Sequence, residues 1–158
     1  MVDKITRSYI RTENFITNLL MIGVVIFVFI AAVMRWVGYP IAWSVEFATL
    51  LFVWVIFLGS NKALRENRHI GVDFFTKRMP LKVRTVVDLI ILFTMMFFLV
   101  FVGIFGIILS FENSVRLISN LTISYSWVTI AVPSGCLLMV ITLIFKLKEK
   151  LLLFKHKG

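Results

Sequence analysis

A carboxylate that must enter a membrane is the sharpest chemical feature of this 158-residue chain. Glu46 lies six residues past Pro40, about 9 Å into a helix rising ~1.5 Å per residue, and no further charge follows until Lys62. An ionised acid at that depth is costly unless it is paired or wet, so its presence asks for a role. Three roles fit: a proton or cation site, an ion pair with Arg35 across a short hairpin, or a polar contact with another subunit. The hairpin holds Arg35 close and its long side chain can reach, which favours pairing or subunit contact over transport chemistry.

The other reactive side chains offer little. His69 and His156 stand outside the apolar runs, so no imidazole projects into a bundle core as haem ligation requires, and no spacing resembles a zinc site. Cys136 is the single cysteine, which removes dithiol chemistry and any internal disulfide. Asp88, one turn after Arg84, reads as an interfacial pair. Without a nucleophile–base arrangement or a phosphate-binding loop, the sequence supports neither an enzyme nor a bound cofactor.

The elements that must position these residues are membrane helices. Hydrophobic residues make up 60% of the chain, charged residues 16%, and the mean hydropathy is +0.99, too apolar for a soluble domain of this size. The net charge of +9 does not indicate nucleic acid, because the basic residues fall between apolar runs and not on one soluble face. About 20 apolar residues cross a hydrocarbon core of ~30 Å, and four runs suffice: 15–36, 40–64, 81–111 and 124–147. The first is too long for a signal-peptide core and is expected to stay as a span. Since lipid offers no water to stray backbone groups, the expected fold is an all-α bundle of four transmembrane helices in one domain. Gly38 is a natural helix stop, Pro40 a natural first-turn residue, and the short break between them forces an antiparallel hairpin.

Topology follows from charge. The N-terminal segment, the loop after the second run and the tail together hold fifteen Lys and Arg, whereas only Arg35 and Arg116 lie on the other side. That asymmetry predicts that both termini and the middle loop are cytoplasmic. Trp36, Tyr39, Trp43, Tyr125 and Trp127 gather at the two outer connections, where amphipathic rings favour headgroups. In the middle loop, Asp73 is followed by F-F-T-K-R-M, which reads equally as a short helix lying in the interface against anionic lipids or as an ordinary basic loop. Pro133-Ser134-Gly135 should bend the fourth span by leaving the carbonyl near Thr129 without its donor. Gly59 and Ala63, four apart, could let another helix approach closely, and the phenylalanines of the third span face either lipid or a partner.

These residues form a pattern. Gly38-x-Pro40-Ile41-x-Trp43-Ser44-x-Glu46, then Trp54, Phe57-Leu58-Gly59, Ala63, Arg65 and His69-Ile70-x-Val72-Asp73 resemble the small membrane subunit, of DctQ type, of tripartite ATP-independent periplasmic transporters. The motif covers about a fifth of the chain, and the four-span layout agrees over nearly all of it. Val45 stands where many members carry a second acid. The resemblance implies a bacterial inner-membrane complex that imports an organic acid, such as sialic acid or a C4-dicarboxylate, with sodium. It also implies a large multi-span subunit that moves the substrate, a periplasmic binding protein that delivers it, and a small subunit that braces the large one. Trp43, Glu46, Trp54, Gly59, Ala63, Arg65, His69 and Asp73 are then candidates for the partner interface or for the fold's own framework. The competing reading is a self-contained exporter that couples protons through Glu46.

Overall fold

A computed structural model describes residues 2–66 and 81–155, and nearly all of them are helical. The long helices are α1 (Val2–Trp36), α2 (Ala42–Arg65), α3 (Leu81–Glu112) and, after a short α4 (Ser126–Thr129), α5 (Ala131–Lys155). Four stretches of them are long and apolar enough to cross a membrane: Ser8–Trp36, Ala42–Arg65, Val86–Val115 and Ser126–Lys148. The helices outrun the apolar runs because backbone hydrogen bonding continues into the charged flanks; α1 begins thirteen residues before Phe15. His69, Asp73, the 74–79 segment and His156 lie outside the described residues.

The first hairpin closes where glycine permits it. Gly38 adopts φ +92, a conformation that side chains resist, and this lets Tyr39 N donate to Met34 O (2.9 Å) and Gly38 N to Arg35 O (3.2 Å). Those two bonds satisfy the last carbonyls of α1 and turn the chain back on itself. The second helix then starts at Ala42 and not at Pro40, with an extended Ile41 at its N-cap. From there the register of the two helices is regular. Residues equidistant from Val37 meet: Phe27 stacks edge-on against Phe47 (4.8 Å), Gly23 admits Leu51, and Glu13 meets Asn61.

Among the described residues the spans stand in a row, α1–α2–α5–α3, and form an open bundle: α1 packs along α2 and makes no close backbone approach to α3 or α5. The consolidated core lies on the other side of α2. There Leu64, Cys136, Met139 and Leu143 are buried, with Phe57 and α3 side chains such as Leu92, Met95 and Leu99 packed over them. Glycines make that core tight. A Cβ on Gly135 would fall 2.5 Å from the Cβ of Phe57, and one on Gly106 would fall 3.0 Å from the ring of Pro133. Such sub-van der Waals approaches mean that α5 is fitted between α2 and α3 at backbone distance.

Pro133 leaves its mark one turn earlier. It has no N–H to offer Thr129, and the helix is interrupted at Ile130. Side chains bond around the break: Ser134 Oγ donates to Ile130 O (2.8 Å), which also accepts from Ser134 N (3.2 Å), and to Ala131 O (3.0 Å), and the Trp54 indole donates to Trp127 O (3.1 Å). The connection before it, called outer only after the orientation expected from charge, is compact. A 3-10 turn at Asn113–Val115 leads into an antiparallel bridge between Leu117 and Ser124, closed by Ile118 N to Ile123 O and Tyr125 N to Arg116 O.

Candidate functional site

Polar side chains concentrate at the two ends of α2, and each end is a clamp. At the outer end Ser44, fully buried one turn into the helix, donates to Phe27 O (2.9 Å) and so pins α1 to α2. Glu46, a little further along, takes the tip of the outer connection. Its two carboxylate oxygens accept from the backbone N–H of Asn120 (2.8 Å) and from the Asn120 side-chain amide (2.6 Å). Two donors on one residue fix the turn in position as well as in orientation. Arg35 and Glu46 do not meet in a salt bridge, whereas Arg65 and Glu13 do. The physical reason is rotational: residue 35 lies in the last turn of α1 on its exposed side, whereas Asn120 is delivered onto Glu46 from the opposite connection.

The inner clamp is buried and charged. Glu13 is only 5% exposed, and its carboxylate accepts from Asn61 Nδ2 (2.7 Å) and from Arg65 Nη1 (2.6 Å). Asn61, itself fully buried, accepts from Thr142 Oγ1 (2.8 Å), so that one side-chain chain links α1, α2 and α5. Lys146 of α5 donates to Leu64 O and closes the end of α2. In a low-dielectric interior the Glu13 and Arg65 charges are tolerable only together. The clamp therefore sets the relative height of three helices.

Of the residues singled out from the sequence, Arg65 sits in the inner clamp, Glu46 in the outer clamp, and Trp54 bridges α2 to the break before α5. Trp43 packs edge-on against Phe27 across the hairpin. Gly59 faces open space: among the described residues no other helix lies within 4 Å of where its Cβ would be, and close helix approach occurs at Gly135 and Gly106. Ala63 is half-buried beside it. Glu13, Asn61 and Thr142 build the inner clamp without having been singled out. Counting outward from the hairpin would have found Glu13, which is 24 residues before Val37 as Asn61 is 24 after it.

Among the described residues no group of three His, Cys, Asp or Glu side chains is placed to hold a metal ion. Several polar side chains of the spans hold helices to one another or to the turn at Asn120, and others bond within their own helix. Comparison with known proteins gives the chain a family. Residues 24–152 match the family described as tripartite ATP-independent periplasmic transporters, DctQ component. Over 106 residues, 64% of this chain, the sequence is 37% identical to the sialic acid TRAP transporter permease protein SiaT of Haemophilus influenzae, covering 16% of that protein. Over 107 residues, 67% of this chain, it is 28% identical to the sialic acid TRAP transporter small permease protein SiaQ of Vibrio cholerae, covering 62% of that one. With four helices able to span a membrane and most of its length matched, the chain belongs to the DctQ family, a membrane component of TRAP transporters and not an enzyme.

Proposed function

We propose that this chain is the small subunit of a sodium-coupled importer of an organic acid, with sialic acid the first substrate to test, and that it braces a large multi-span subunit. Both of these relatives are sialic acid transporter permeases, and one is much longer than the segment that aligns, which supports a large partner acting beside this fold. The observation that carries the bracing role is the use made of the polar groups within the spans: Glu13, Arg65, Asn61 and Thr142 are spent on one another. A pump keeps such groups available to substrate and ions, whereas a brace uses them to fix helix positions. The proton-coupled exporter is the weaker reading, because both oxygens of Glu46 already accept from Asn120 at the outer end.

In this arrangement the positive charge of the termini and middle loop holds them in the cytoplasm of a bacterium. The Glu46 end then faces the periplasm, where a binding protein delivers the acid. The outward surfaces of α1 and α3, rich in exposed Phe, Ile and Val, are left for lipid and for the large subunit.

The test is purification of the tagged chain from its native membrane in mild detergent, with the intact mass of whatever accompanies it. One copy of a multi-span partner per chain is expected. The pair, with its binding protein, should take up sialic acid into liposomes when a sodium gradient is imposed, and the small chain alone should not. A partnerless homodimer that moves protons or cations by itself would overturn the reading.

A further inference from the structure

The exposed apolar side chains of α3 do not stop where the helix does. Ile108 and Phe111 are exposed on its outward side, and Val115, one turn further on, is 89% exposed at the end of the 3-10 turn. Arg116 then takes an extended conformation, φ -84 and ψ 127, and its guanidinium lies over the Tyr125 ring, 5.2 Å from the centroid. The residues on either side of an extended one turn their side chains to the opposite face, so Val115 and Leu117 leave the chain away from Arg116. The burial pattern agrees: Leu117 is 60% exposed, whereas Ile118, two residues past Arg116, is buried. The connection thus has an inward edge at Arg116 and Ile118 and an outward apolar edge at Val115 and Leu117. Its tip is polar, with Ser119 exposed and Asn120 bonded to Glu46.

The spans set the height of that edge. One span ends at Val115 and the next begins at Ser126, so the short connection between them lies at the boundary of the hydrocarbon. Arg116 limits how deep it can sink. A guanidinium is costly below the headgroups, and the Tyr125 ring that carries it stands at the start of the next span, where such rings favour the interface. Val115 and Leu117 are then held beside the layer in which apolar side chains leave water for the headgroup–acyl boundary. We propose that the Val115–Leu117 edge of this connection is a lipid-contacting surface, seated in the headgroup–acyl boundary and continuous with the lipid-facing side of α3, while the tip at Ser119 stays in water. The turn that Glu46 holds from within the bundle is on this account also held from outside by the bilayer. The proposal requires only that the chain spans a membrane, and it stands or falls separately from the transport reading.

Nitroxide labels on Val115→Cys and Leu117→Cys test this in the full chain reconstituted into phosphatidylethanolamine–phosphatidylglycerol liposomes. Ser119→Cys at the tip and Ile108→Cys within the span serve as the aqueous and the buried-in-lipid references. All four positions are exposed, so the substitutions should leave helix content unchanged, and because Cys136 is buried the unsubstituted chain supplies the labelling background. Collisions are measured with dioxygen, which concentrates in lipid, and with a water-soluble nickel chelate. The ratio of oxygen to nickel collisions at residues 115 and 117 should exceed that at Ser119 severalfold and stay below that at Ile108. Labels at 115 and 117 as open to the chelate as the one at Ser119 would overturn the proposal. Shielding that appears only when a large subunit or a binding protein is reconstituted with the chain would overturn it as well, because a protein and not lipid would then cover this edge.

Discussion

Glu13 and Glu46 are both acids carried into apolar helices, and both accept two hydrogen bonds, yet they solve different problems. Glu13 is buried between helices, and one of its donors is a guanidinium. Glu46 is half-buried at a helix start, and both of its donors belong to the neutral, exposed Asn120. A carboxylate packed between helices has only the fold's own donors to satisfy it, whereas a half-buried one at the surface can also be met by water. The inner clamp therefore sets the positions of whole helices, and the outer clamp sets one turn. Removing each acid should reveal that difference in scale.

The largest effect is expected from Glu13→Ala. It leaves the Arg65 guanidinium shielded and uncompensated and deprives Asn61 Nδ2 of its acceptor, at a cost of about 3–5 kcal/mol. Thermal unfolding in mild detergent should show a strongly lowered midpoint and poor yield. The double change Glu13→Leu with Arg65→Met should recover most of the loss, since apolar residues of similar size often replace a buried pair without penalty. A single variant as stable as the parent would show that water reaches the pair and that the two clamps are alike.

Thr142→Val probes the arm of the inner clamp that reaches α5. Thr142 Oγ1 loses its one bond to another helix, to Asn61 Oδ1, together with its contact to Leu138 O within its own helix, and hydrogen bonds between membrane helices average about 0.6 kcal/mol. The same unfolding measurement should show a small, resolvable drop. A loss as large as that of Glu13→Ala would move the centre of the clamp from the ion pair to Asn61.

Glu46→Gln should act locally. The amide keeps one carbonyl acceptor for Asn120 and loses the second, so about 0.5–1.5 kcal/mol of protection should disappear from the outer connection while the global midpoint stays put. Hydrogen exchange at residues 117–125 reads this directly. A fall in the global midpoint would mean that the outer turn supports the helices and does not merely rest on them.

Composition and run length make the four spans legible, because lipid permits few alternatives to a helix and each run is long enough to cross. The hairpin is legible from Gly38, and the break near Thr129 from Pro133, since each acts through its own backbone; Pro40, expected in the first turn of α2, lies before it. Tertiary partnerships are less so. Glu13 stands amid Arg7, Arg11 and other charges that read as a solvated flank, and only the extension of α1 past its apolar run turns it inward. Gly59 shows what spacing leaves open. A glycine and an alanine four apart suggest close packing; among the described helices that packing occurs at Gly135 and Gly106, whose neighbours come from other helices, and Gly59 is left uncovered.

Arg35 gives the smallest expected effect and the cleanest separation between nearness in sequence and contact in space. It is exposed in the last turn of α1, eleven residues from Glu46, and makes no salt bridge with it. Arg35→Gln should leave stability within about 0.5 kcal/mol and should not alter exchange at residues 117–125. Asn120→Ala, by contrast, removes the side-chain donor to Glu46 and should loosen that turn measurably, although its backbone N–H still donates. Equal loosening by the two variants would mean that Glu46 is shared between Arg35 and Asn120 in the membrane. The outer clamp would then be charged, and burial, not the kind of partner, would be what distinguishes it from the inner one.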